Sequence, residues 1–160
     1  VEELLPRLTA YQEEVDTQPA SEQDLPVIFN EWCTTWGKPL PGNLMPVLET
    51  LRGSEVKYFV LDAGWFHSGV DALCGVGDWN VPPENYPDGG IGAFAELIRK
   101  AGFRPGIWFE FEVATEDSIL ANEHPEWLLH LDGKVLKSGT RRFLDFRPGV
   151  FHHRRIYGFP

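Results

Sequence analysis

Positive charge is the first scarcity. Lys and Arg number 14 against 24 Asp and Glu, a net charge of −10. A phosphate-backbone binder needs clustered cations, so nucleic acid is not the expected partner. Long apolar runs are also missing: none approaches the ~18 residues of a membrane-spanning helix, and no membrane partner is expected. No basic-then-apolar leader opens the sequence, though a processed start would hide one. Cysteine is confined to Cys33 and Cys74. That pair has neither metal-ligand spacing nor the density of a disulfide framework, which points to a reducing compartment, the cytoplasm. No Gly-x-Gly-x-x-Gly follows the first apolar strand, which sets aside a dinucleotide-binding sheet. No His-x-His pair ends a strand, so neither a metal nor another cofactor is expected.

What is present is aromatic and apolar. The 160 residues are 42% hydrophobic and 13% aromatic, with six Trp. That is enough chain for one globular domain with its own core. Most of the aromatics are expected to fill it, since indole is costly to place elsewhere unless it faces a ligand.

Three segments are predicted. Residues 1–25 are an acidic N-terminal helix and linker, broken by Pro6 and Pro19. Residues 26–146 form the main body, and 147–160 a basic tail. In the main body, "PVIFNEW" (26–32), "YFVL" (58–61), "PGIWFEFE" (105–112) and "RRFLDF" (141–146) read as four strands. Between them, helices are expected at 43–52, with Asn43 as N-cap and Gly53 as stop, and at 91–101. The second has Ile91, Phe94, Leu97 and Ile98 on one face and ends at Gly102. A capped helical turn is expected at 117–122. Strand starts at positions 27, 58, 106 and 143 lie 31, 48 and 37 residues apart, enough for a βα unit each.

Alternating strands and helices predict an α/β fold with a parallel sheet. Polar and aromatic residues gather at the C-terminal end of each strand: Asn30, Glu31 and Trp32; Asp62 and Trp65; Trp108, Glu110 and Glu112; Asp145. That is where a (β/α)8 TIM barrel places its active site. Four such units make the first half of a barrel, whose open edges invite association. Carboxylates fixed at strand ends accept hydrogen bonds from hydroxyls, and indoles offer an apolar face to C–H groups. A ligand with both is a sugar ring. Residue chemistry alone nominates Asp62 with Glu110 or Glu112 as the carboxylate pair of a glycosidase.

"FVLDAGWF" (59–66), "GDW" (77–79), "GIWFEFE" (106–112) and "EHPEW" (123–127), in that order, resemble the bacterial α-galactosidases (melibiases) of glycoside hydrolase family 36. The family pattern runs Leu-Asp-Asp-Gly-Trp-Phe, then Gly-Asp-Trp, then Trp-Phe-Glu-Pro-Glu. The resemblance implies a glycosidase that releases terminal α-linked galactose by a retaining mechanism, without a cofactor, and leaves homo-oligomerisation of the full-length enzyme open. It implies a sugar site formed by Trp32, Asp62, Trp65, Asp78, Trp79, Trp108 and Glu112, with an arginine, Arg141 or Arg142. Ala63 and Phe111 depart from the pattern, and Ala63 removes one expected hydroxyl contact.

The resemblance also places the nucleophile in a Lys-Trp-Asp motif on the fifth strand, with the acid/base aspartate further on. No Lys-Trp-Asp occurs in the sequence, so no catalytic residue is assigned within it and the chain is expected to be a fragment. The tail supports that reading. Residues 147–160 carry Arg147, Arg154 and Arg155 and no acid, a charge of +3. Residues 1–146 hold the other 11 basic residues and all 24 acids, a charge of −13. A shifted reading frame after about Phe146 and a genuine basic tail both fit. Two other readings stay open: a non-catalytic carbohydrate-binding remnant, and a metal-dependent barrel hydrolase using Asp62, His67, Glu110 and Glu112.

Overall fold

A computed structural model describes residues 4–14, 24–66 and 74–147. His67, most of the predicted linker and residues 148–160 of the tail lie outside these. The centre is a three-stranded parallel sheet in the order β1 (Val27–Asn30), β2 (Val56–Leu61), β3 (Arg104–Ile107). β2 aligns Tyr58 with Arg104 and Leu61 with Ile107, and Asn30 stands opposite Val60. Gly106 is required by close packing, because a Cβ there would lie 2.8 Å from Val60 Cγ2.

Ahead of the sheet, α1 spans Leu4–Glu14, and α2 (Trp32–Thr35) is a single turn directly after β1. Two longer helices, α3 (Pro41–Leu51) and α4 (Gly90–Lys100), supply the apolar cover. Leu44 and Leu48 on α3, and Phe94 and Ile98 on α4, are i,i+4 pairs that present one stripe each to the core. Phe59 of β2 belongs to the same core and is fully buried, with its ring 5.2 Å from Phe29 and 6.3 Å from Phe103.

Helix starts differ from the predicted ones. α3 begins at Pro41 with Leu40 as N-cap, because proline at the first helical position has a fixed φ suited to helix and no N–H to satisfy. Asn43 lies inside the helix, its side chain donating to Lys38 O. The predicted turn at 117–122 is α5 (Ile119–Glu123), capped by Ser118 Oγ, which accepts from Ala121 N.

The predicted fourth parallel strand is not one. The third strand stops at Ile107, and β4 (Val113–Thr115) turns into an antiparallel sheet in the order β4-β8-β7, with β7 at Lys137–Ser138 and β8 at Arg141–Phe143. β5 (His130–Leu131) and β6 (Lys134–Val135) form a separate hairpin. Two tight turns cause this. Asp132 and Gly133, both at positive φ, join β5 to β6, and Gly139 at φ 58° joins β7 to β8. These left-handed pairs and single glycines favour two-stranded hairpins over a crossover. Among the described residues there are three parallel strands, not four βα units, and none of those residues adds a further strand to either outer edge of that sheet.

Candidate functional site

Asp62 is the first residue past β2. Its Oδ2 accepts from Asn30 Nδ2 at 2.6 Å, and its Oδ1 from Ala63 N at 2.7 Å. Asn30, at the end of β1, uses its own Oδ1 to accept from Trp32 N at 2.9 Å. An amide and a carboxylate from adjacent strands are thus locked together at the mouth of the sheet, with Trp32 tied to them.

Beneath them lies Glu31, fully buried. Its Oε1 accepts from Asp62 N at 2.9 Å and its Oε2 from the Thr35 hydroxyl. Burial pushes its carboxyl above the usual glutamate range, and the neighbouring Asp62 charge adds to the rise; the two hydrogen bonds oppose it. Sequence reasoning placed Glu31 at a strand end without a role. Its signal was position: an acid between Asn30 and Trp32 at the end of a buried strand.

The turn after Asp62 is fixed by contact. Gly64 has φ 102°, and a Cβ there would fall 2.1 Å from Gly37 O. Trp65 and Phe66 then enter a buried aromatic cluster. Trp65 stacks on Trp79 with centroids 5.9 Å apart, and its Nε1 donates to Trp108 O at 2.9 Å. Phe66 meets Trp79 edge-on at 4.8 Å and stacks on Trp108 at 6.3 Å. Phe109 and Phe111 stack at 5.0 Å, and each also contacts Trp79. Trp79 has φ 53°, and its Nε1 is buried with no hydrogen-bond partner among the described residues. An indole N–H buried this way costs roughly 1–3 kcal/mol unless an acceptor reaches it. Asp62 and Trp108 occupy neighbouring positions just past the paired residues Leu61 and Ile107, and the ladder continues through Trp108 N to Leu61 O at 2.8 Å.

The other predicted site residues are placed differently. Asp78 accepts from Ile119 N at 2.8 Å and Leu120 N at 3.0 Å, so both oxygens hold the N-terminus of α5. Glu110 pairs with Arg141 Nε at 3.1 Å, whereas Arg142 lies 3.8 Å from Glu116, itself bound by Lys137 at 3.2 Å. Successive strand residues face opposite ways, and these partners show that Arg141 turns toward the third strand's end. Glu112 is exposed in the turn before β4, and its carbonyl accepts from Leu144 N. Among the described residues no group of three or more His, Cys, Asp or Glu could hold a metal ion.

A parallel βα sheet with amide, carboxylates and indoles at the C-terminal ends of its strands places the chain in the α/β class. More narrowly, the chain belongs to the melibiase family, whose model matches residues 8–152. Alpha-galactosidase Mel36A of Lactobacillus acidophilus is 34% identical over 113 residues, covering 71% of this chain and 15% of that protein. The crystal structure of the alpha-galactosidase from Lactobacillus brevis is 35% identical with a TM-score of 0.68, covering 78% of this chain and 17% of that one. The GH36 alpha-galactosidase AgaB from Geobacillus stearothermophilus also scores 0.68 at 29% identity, with the same coverage. An AgaA variant from that organism, solved in complex with raffinose, is 28% identical with a TM-score of 0.65, covering 75% of this chain and 17% of that one. The chain spans 15–17% of the length of these relatives.

Proposed function

We propose that these residues form the sugar-holding part of a retaining α-galactosidase that removes terminal α-linked galactose. Asp62, held by Asn30, accepts hydrogen bonds from galactose hydroxyls. Half-buried Trp108, backed by the buried Trp65 and Trp79, supplies the apolar wall. Arg141, ordered by Glu110, and Glu112 border the same mouth. Asp78 acts at one remove, through the start of α5. The nucleophile and acid/base are assigned to none of these residues. The observation that carries the reading is the locked Asn30–Asp62 pair beside that indole cluster. Raffinose bound to a relative supports an α-galactoside as ligand. Cys33 and Cys74, neither in a disulfide, support a reducing compartment.

The test is calorimetric titration of the chain with galactose. Wild type is expected to bind, and Asp62→Asn, which keeps the shape and removes the charge, to bind about tenfold or more weakly, since hydrogen bonds to charged groups contribute roughly 1.5–3 kcal/mol. The same protein is expected to release no sugar from a chromogenic α-galactoside. Equal affinity in the variant would overturn the Asp62 assignment, and dose-dependent turnover would restore Asp62 with Glu110 or Glu112 as catalytic pair.

A further inference from the structure

Trp36 is the exception among the tryptophans. Trp65 and Trp79 are 3% and 9% exposed, but Trp36 is 67% exposed. Its backbone is left-handed, φ 49° and ψ 50°, a conformation that costs a non-glycine residue roughly 1–3 kcal/mol. Burial of the ring does not offset that cost.

The loop that carries it is held on both sides. Trp36 N donates to Trp32 O at 2.8 Å. Gly37 packs its carbonyl against Gly64, in the turn that follows Asp62. Pro39 is fully buried, and its carbonyl accepts from Tyr86 OH at 2.8 Å. The indole is therefore presented to solvent from a fixed base. It meets Trp32 edge-on, with centroids 6.1 Å apart. Trp32 in turn is joined through Asn30 to Asp62. Two indoles thus lead outward from the carboxylate, the inner half-buried and the outer open.

We propose that Trp36 is a second sugar platform, stacking the ring that follows galactose in an α-linked oligosaccharide. The inference rests on the assignment of galactose to Asp62. A pyranose offers an apolar C–H face that a rigid indole can cover at little entropic cost. A pre-fixed platform one residue cluster outward suits the second ring, because the first is committed to the hydroxyl-binding carboxylate.

The experiment compares galactose with a galactosyl-α-1,6-glucose disaccharide, titrated into wild type, Trp36→Ala and Trp36→Phe. Wild type is expected to favour the disaccharide by about three- to tenfold. Trp36→Ala should lose that margin and keep its galactose affinity, while Trp36→Phe keeps most of it. A second measurement needs no variant: the disaccharide, and not galactose, should shield the exposed tryptophan emission of wild type from acrylamide. Galactose binding with no disaccharide margin, a margin that survives Trp36→Ala, or no shielding overturns the platform and leaves the Asp62 site standing. Failure of wild type to bind either sugar overturns both.

Discussion

Replacing Glu31 by glutamine separates what the buried carboxylate does as an acceptor from what its charge costs. Glu31 is fully buried, and burial raises its folded pKa above the ordinary 4.5. A carboxyl so raised keeps its proton in the folded state at pH values where the unfolded chain has lost it. Unfolding free energy therefore falls as pH climbs from the unfolded value through the raised folded one. Glutamine still accepts from Asp62 N and can donate to the Thr35 hydroxyl, but it carries no charge. The stability of Glu31→Gln relative to wild type should be lowest below the unfolded glutamate pKa and rise as pH increases through that window. Glu31→Leu differs, because it strands the Asp62 N–H now satisfied at 2.9 Å. That loss should cost about 1–3 kcal/mol at every pH, with Tm falling about 2–4 °C per kcal/mol for a chain of this size. The assay is urea unfolding followed by tryptophan emission at a series of pH values rising from about 4, just below the unfolded glutamate value. A Glu31→Gln difference that does not change with pH, or a Glu31→Leu protein as stable as wild type, refutes the reasoning.

Asp78→Ala should destabilise the protein by about 0.5–2 kcal/mol, the range for a lost helix cap. Galactose affinity should stay unchanged, and a drop in affinity at constant stability would return Asp78 to the sugar. The outer edges of β1 and β3, with Val27, Ile28 and Ile107 exposed near them, should drive association as concentration rises. Sedimentation velocity checks this, and a monomer at all concentrations would contradict it.

The parallel sheet was legible because its signals are local. "VKYFVL" is a buried strand by composition, and α4 carries its apolar stripe at helical spacing with a glycine stop at Gly102. Asp62 stood out as an acid directly after an apolar run. The end of the domain was misread because "RRFLDF" looks like a strand without saying which partner it takes. The partner was decided by "LDGKV" and "KSGTR", whose turns fold the chain back on itself. Those turn signals were in plain view and outweigh a strand-spacing argument. Glu31 and Trp36 were hidden for another reason. Their roles depend on the contact of Glu31 with Asp62 and of Gly37, next to Trp36, with Gly64, 31 and 27 residues further on, and no local pattern encodes such contacts.

The indole N–H resonances of the six tryptophans, recorded while galactose is added, test the sugar site most directly. Trp108 should shift most in step with binding, because it is half-buried and lies beside Asp62 at the strand mouth, with the ring-contacting Trp79 following it. Trp127, stacked on His124 at 3.6 Å in a separate cluster, should not move. Shifts confined to Trp127, or none at saturating galactose, would show that the strand mouth around Asp62 is not where the sugar binds.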